Sequence, residues 1–141
     1  MAEYLFRDKI EKMGLEEKFT AKSAGIFVAD EAQNPSALAV KVLNEKYKVD
    51  MSMHKPQVIN IDLIMESDLI LCMEEAMAVY LKANLHNIDE DSIMIVDSIK
   101  SYLDEIGNVS DPYGGDEKTY EDCANEINEL IEKLIQKESS L

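Results

Sequence analysis

Two short apolar runs constrain this chain more than any other feature. Asp68 opens the run DLILCM, and Ile93 to Val96 read IMIV. Both are too short for a core helix and both are apolar without alternation, which is the pattern of strands buried on two faces. Parallel strands cannot be joined by a tight turn, so the stretches between such strands must cross over, and here they carry the helical period. Helices alternating with buried strands predict an α/β chain with a parallel sheet and helices on both faces. With 141 residues, the chain fits one such domain, residues 1–141, with a core of ordinary size.

The remaining elements fall around this pair. Residues 1 to 13 read as a helix, with Leu5, Phe6, Ile10 and Met13 as its apolar stripe, Glu3, Asp8 and Glu11 off it, and Gly14 as its stop. Phe19 to Ala24, closed by Gly25, alternates as a short strand does. Asn34 before Pro35 is a cap with proline at the first helical position, opening a helix through Tyr47 with Leu38, Val42 and Leu43 inward. Asn60 caps a short helix through Ile64, a longer one runs from about Glu74 to Leu85, and Ser98 to Ile106 reads as another short helix. Ser110 to Asp116, SDPYGGD, is the one concentrated turn signal. Beyond it a last helix from about Lys118 to Gln136 buries Tyr120, Ala124, Ile127, Leu130, Ile131 and Leu134. The tally is three strands and an opening helix whose α-amino charge faces the positive end of its own dipole. A strand-loop-helix unit puts its strand first, so the pattern predicts a missing beginning.

Charge narrows the partners. Fourteen Lys and Arg against 29 Asp and Glu leave a net charge of −15, which repels phosphate backbones and anionic lipid, so neither nucleic acid nor membrane is an expected partner. The first residues, MAEYLFRDK, lack the apolar core of a signal peptide and no run approaches a membrane span, so the expected location is cytoplasmic. That compartment keeps Cys72 and Cys123 reduced.

Ligands of open parallel sheets bind beyond the carboxyl ends of strands, which brings the DPYGGD loop forward and Asp111 first within it. Pro112 holds that carboxylate extended, and Tyr113 with two glycines lets the loop lie against a ligand. An Asx turn opening the last helix fits the same residues, and composition does not choose between them. Neither cysteine has the positive neighbours that make a thiol nucleophilic. Cys72 lies in an apolar run before Glu74 and Glu75, which raise a nearby thiol, and Cys123 lies beside an apolar stripe. Both read as packing residues, as do the methionines at 51, 53, 73, 77 and 94. His54 and His86 are too isolated for a metal site, and Asp89 to Asp91 lacks the spacing of a calcium loop, so no metal or other cofactor is expected. Arg7 is the single arginine and precedes both cysteines, so no Cys-x5-Arg phosphate loop can be written in these residues.

Several segments, in order along nearly the whole chain, resemble the low-molecular-weight protein tyrosine phosphatases. MAEYLFRD resembles the helix that follows the family's Cys-x5-Arg-Ser-Pro phosphate loop, and KSAG at Lys22 to Gly25 resembles its D-S-A-G. Asn34-Pro35 with Ala37-Leu38 resembles D-P-R-A-L, VDMSMH ending at His54 resembles I-D-L-S-x-H, and SDLILCMEE resembles F-D-L-I-L-x-M-D-E. Asp111-Pro112-Tyr113 matches the D-P-Y motif that carries the general acid. The resemblance implies a three-layer doubly wound parallel sheet, four strands in the family and three here. The first strand, the nucleophilic cysteine and the phosphate-binding arginine are absent from this sequence, as from a misassigned start or a truncation.

By that resemblance the activity is hydrolysis of a phosphorylated protein, on tyrosine or arginine, through a cysteinyl phosphate. Asp111 becomes the general acid and then the base for water, Tyr113 and Phe27 line the substrate side of the pocket, and Ser23 and His54 support the phosphate loop. Ile26-Phe27 and Tyr113-Gly114-Gly115 stand where tyrosine-specific members often carry a tryptophan and paired tyrosines, which leans toward the bacterial phosphoarginine branch. Met77 departs from the asparagine usual after M-D. These 141 residues are expected to be inactive alone, and a non-catalytic binding or regulatory remnant of the same fold is the alternative. Loss of an interior strand also predicts a marginal monomer.

Overall fold

A computed structural model describes residues 1–85, 99–101 and 109–139. In chain order its elements are helix α1 (Ala2–Lys12), α2 (Ala37–Val42) running on into one π-helical turn (Leu43–Tyr47), α3 (Ile61–Glu66), strand β1 (Ile70–Cys72), α4 (Glu75–Leu85), β2 (Ile99–Ser101) and α5 (Glu117–Ser139). They form two compact units, one of Met1–Val58 with Asp111–Leu141, the other of Ile59–Ser110.

In the first unit α5 is the spine, and both α1 and α2 pack along it. Its inward face is Tyr120, Cys123, Ala124, Ile127, Leu130, Ile131 and Ile135, all buried. Leu5 and Ile10 of α1 and Val42 and Leu43 after α2 are buried as well. Each such aliphatic side chain contributes about 2 kcal/mol on leaving water. Ion pairs at the rim, Lys9 with Glu132 at 2.6 Å and Lys41 with Glu117 at 3.0 Å, align the helices and add little energy at the surface. Gly14 ends α1 at φ +69°, where its N–H reaches Glu11 and that of Leu15 reaches Ile10 across the reversed turn.

The second unit holds a parallel pair, β1 with β2, in the register Ile70 to Ile99, Leu71 to Lys100 and Cys72 to Ser101. Ile64, Cys72, Ala78 and Leu81 form its core, with Ile59 and Ile70 packed on it. Asn60 caps α3 as its sequence position predicts, its side-chain oxygen accepting the Leu63 N–H at 2.9 Å. The Val109 N–H donates to the Met73 carbonyl at 2.8 Å, so the chain leaves this unit tied to the end of β1. Among the described residues no helix is long and apolar enough to cross a membrane.

Several expectations need correction. Residues 19–24 form no strand; the segment's alternation is real, but a strand exists only with a hydrogen-bonded neighbour, and here one isolated parallel bridge joins Gly25 to Val58. Residues 99–101, expected in a helix over Ser98 to Ile106, instead pair with β1. The strand expected at 93–96, with His86, Asp89 to Asp91 and Met94, lies outside the described residues. The helix expected from Asn34 starts later, with Ser36 as its N-cap, because the Asn34 side chain is taken up by Lys55 at 2.8 Å. On α5, Ile135 rather than Leu134 is fully buried, which follows from a wider apolar face that also takes in Cys123. Met13, Met53 and Met77 are exposed, Met53 to 84%, so only part of the methionine set packs.

Candidate functional site

The turn before α5 carries the first group of site residues. The Asp111 carboxylate Oδ1 accepts the backbone N–H of Tyr113 at 3.0 Å, an Asx turn that fixes the direction of the side chain while leaving it exposed. Gly114, at φ +83°, closes the reversal, and the Gly115 N–H donates to the Pro112 carbonyl at 2.9 Å. A β-carbon on Gly115 would lie 2.7 Å from the Thr119 side chain, so glycine is required by close approach. The helix itself is opened by Asp116, whose Oδ1 accepts both the N–H and the hydroxyl of Thr119. Asp111 is therefore not the cap of α5; the cap falls to a separate carboxylate and Asp111 is left presented. Tyr113 projects from the turn with 86% of its surface exposed.

A second group gathers at the start of α1. Ser23 donates its hydroxyl to Glu3 Oε1 at 3.3 Å, and the other Glu3 oxygen lies 3.8 Å from His54 Nδ1 and 3.6 Å from the Arg7 guanidinium. His54 Nδ1 also meets the Tyr4 hydroxyl at 3.3 Å, with the two rings edge to face. Arg7 completes the cluster by donating to the Ala21 carbonyl at 3.0 Å and lying over the Tyr4 ring. The Glu3 side chain is only 8% exposed, although its position off the apolar stripe predicts a solvated acid. Burial beside a carboxylate pushes the Tyr4 hydroxyl above its usual pKa. Ser23 and His54, far apart in sequence, thus hold one carboxylate at the helix N-terminus. Glu3 and Tyr4 escape sequence reasoning because helical spacing reports only the apolar face.

Phe27 occupies a third place, on the segment between Gly25 and α2, with 84% of its surface exposed. Among the described residues its ring makes no aromatic pairing with His54. An open groove between α1 and residues 16–22, lined by Arg7, Ile10, Phe19 and Lys22, includes none of the five predicted site residues.

Both thiols are buried. Burial pushes Cys72 up, with Lys82 opposing, so burial rather than Glu74 and Glu75 is the cause. Cys123 is pushed up by burial first and by the Glu126 and Asp111 carboxylates, with the Met1 ammonium opposing. The Met1 ammonium is itself depressed by burial. Among the described residues no three His, Cys, Asp or Glu side chains are placed to hold a metal ion.

A fold comparison finds close solved structures. A low molecular weight protein tyrosine phosphatase from T. tengcongensis superposes with a TM-score of 0.85 at 30% identity, covering 96% of this chain and 88% of that one. A YwlE mutant from Bacillus subtilis gives 0.84 at 25% identity over 98% of this chain and 88% of its own. A YwlE arginine phosphatase with a phosphorylated active-site serine gives 0.81 at 25% identity over 96% and 84%. No curated protein matches the chain. The likeness gives the α/β doubly wound parallel-sheet fold. The family model described as low molecular weight phosphotyrosine protein phosphatase matches residues 1–140, and to that family the chain belongs.

Proposed function

We propose that the chain carries the acid, substrate-facing and loop-supporting residues of a cytoplasmic protein phosphatase, and that residues 1–141 form one domain. The observation that carries this is the presented Asp111 carboxylate, freed from capping duty by Asp116, in a chain matched over residues 1–140 by a phosphatase family. In the reaction a cysteine thiolate attacks phosphorus and a carboxylic acid protonates the departing oxygen or nitrogen. Asp111 fits the second role, since the Asx turn fixes the side chain through one oxygen while the residue stays exposed. Tyr113 and Phe27 are the exposed aromatic surfaces available to a substrate side chain. Ser23 and His54 stabilise the start of α1 through Glu3, the place where a phosphate loop would end.

The nucleophile is not among these residues. Arg7 is engaged with Glu3 and Ala21, and both thiols are buried and raised, which supports the reading that the 141-residue chain alone does not turn over. Loss of a covalent nucleophile removes on the order of six decades of rate in a comparable hydrolase. Likeness to an arginine phosphatase at 25% identity supports phosphoarginine in proteins as the substrate, with phosphotyrosine second. A non-catalytic remnant of the fold is the other reading, favoured by the single arginine and a net charge of −15, which hold a phosphate dianion poorly.

Translation of the DNA upstream of the Met1 codon tests the enzyme reading. An in-frame strand followed by Cys-x5-Arg-Ser-Pro supports the enzyme reading, and a closed frame favours the remnant. Turnover of para-nitrophenyl phosphate by the 141 residues, unchanged in Asp111→Ala, would contradict both the inactivity and the role of Asp111.

A further inference from the structure

The segment His54-Lys55-Pro56-Gln57 reaches three different parts of the first unit. His54 meets Tyr4 and Glu3 on α1, and Gln57 brackets residues 23–25, donating from Nε2 to the Ser23 carbonyl at 2.9 Å and accepting the Gly25 N–H at 2.8 Å. Lys55 turns the other way. Its ammonium donates to the Ala32 carbonyl at 3.1 Å and to Asn34 Oδ1 at 2.8 Å, both on the segment that carries Phe27. That segment has no helix or strand between Gly25 and Ser36. It is fastened at its ends by the Gly25 to Val58 bridge and by the Ser36 hydroxyl on Tyr120, and turned in the middle by Asp30, which accepts from Ala32 and Gln33.

We infer that Lys55 is a positioning residue for the Phe27 loop: its ammonium straps Ala32 and Asn34 to the His54 segment and so fixes where the Phe27 ring stands. Three features support this. Lys55 precedes Pro56, which holds its backbone extended and gives the side chain a set origin. Its two acceptors lie on consecutive parts of one turn, so a single point charge with several donors closes it. Asn34, whose residue type suits a helix cap, serves as an acceptor for Lys55, and the helix begins at Ala37. The consequence for substrate choice rests on the reading of Phe27 given above, whereas the strap itself does not.

The test uses the full 141-residue chain with Lys55→Met and Lys55→Arg, read by amide hydrogen exchange. In Lys55→Met, exchange in peptides covering residues 26–34 is expected to speed up roughly fivefold or more while α5 is unchanged; Lys55→Arg, which keeps the charge and the donors, stays close to the parent. The chain has no tryptophan, and the exposed Phe27 ring leaves room for one, so Phe27→Trp supplies a single emitter on the loop. Its fluorescence anisotropy is expected to fall with Lys55→Met and to be restored with Lys55→Arg. Parent-like exchange and anisotropy in Lys55→Met would overturn the inference, as would acceleration equal in the loop and in α5. Both readouts follow the loop and not substrate, so failure of the phosphatase reading leaves their outcome intact, and their failure leaves the role of Phe27 standing.

Discussion

Replacing Glu3 by alanine should cost the first unit about 2 kcal/mol. Glu3 is a carboxyl acceptor, 8% exposed, that takes a hydrogen bond from the Ser23 hydroxyl at 3.3 Å. A bond of that kind to a charged group contributes about 1.5 to 3 kcal/mol. Its place in the first turn of α1 adds roughly 0.3 to 1 kcal/mol from the helix dipole. Arg7, at 3.6 Å and half-exposed, adds under about 1 kcal/mol and keeps Ala21 as a second acceptor when Glu3 is removed. Against these stand the relief of a buried charge and of one negative unit in a chain of −15, which bring the net to about 2 kcal/mol. Glu3→Gln keeps the shape and one acceptor and should cost about half as much. In urea unfolding at pH 7 followed by circular dichroism, Glu3→Ala should move the midpoint down by about 1 M at unchanged slope. Ser23→Ala should cost about 1 kcal/mol in the parent and almost nothing on top of Glu3→Ala, since the pair shares one interaction. A Glu3→Ala midpoint equal to the parent's, or full additivity with Ser23→Ala, would refute the buried hub.

Three further perturbations follow from particular residues. Gly115→Ala forces a β-carbon to within 2.7 Å of Thr119 and should destabilise by about 1 to 3 kcal/mol in the same urea assay, a near-neutral result showing that the turn before α5 yields freely. Lys48 holds φ 58° at an exposed position, so Lys48→Gly should stabilise by about 0.5 to 1 kcal/mol; a loss of stability would mean that its side chain holds something in place. Burial raises the Cys123 thiol, so above the ordinary thiol pKa of about 8.5 the unfolded chain sheds a proton that the folded chain retains, and stability falls as pH rises through that range. The buried Met1 ammonium is depressed, so its contribution to stability builds as pH rises toward its ordinary value and is level above it, which leaves the thiol to be isolated by difference. The fall between pH 8 and 10 should be shallower in Cys123→Ala than in the parent, and equal slopes would rule the thiol out as the cause.

Periodicity alone located α1, α4 and α5 to within a few residues, because each buries a face and burial writes its period into the sequence. Asn60 was legible for a different reason, since a cap needs one oxygen at one spacing. Extended structure was less so. The alternation over residues 19–24 describes one segment, whereas a strand is a property of two, and the same ambiguity turned residues 99–101 from an expected helix into a partner of β1. In the candidate site, the turn that presents Asp111 and Tyr113 was legible through Pro112 and two glycines. Glu3 did not, because a carboxylate that is buried by its partners looks in sequence like any surface acid. The displacement of the cap from Asn34 to Ser36 likewise depends on Lys55, 21 residues away, which no local rule can see.

The seating of α1 on α5 also sets a schedule for synthesis. On a ribosome α1 finds its partner only after roughly a hundred further residues have been added, which at about 5 to 20 residues per second leaves it waiting on the order of ten seconds. During that interval Leu5 and Ile10 have no α5 to cover them, while residues 59–110 already possess their own small core. The nascent chain therefore assembles from its middle, and the half that holds Asp111, Ser23 and His54 closes last. A chain broken off anywhere before residue 117 leaves the ribosome with that half unclosed, offering the apolar face of α1 to chaperones and proteases.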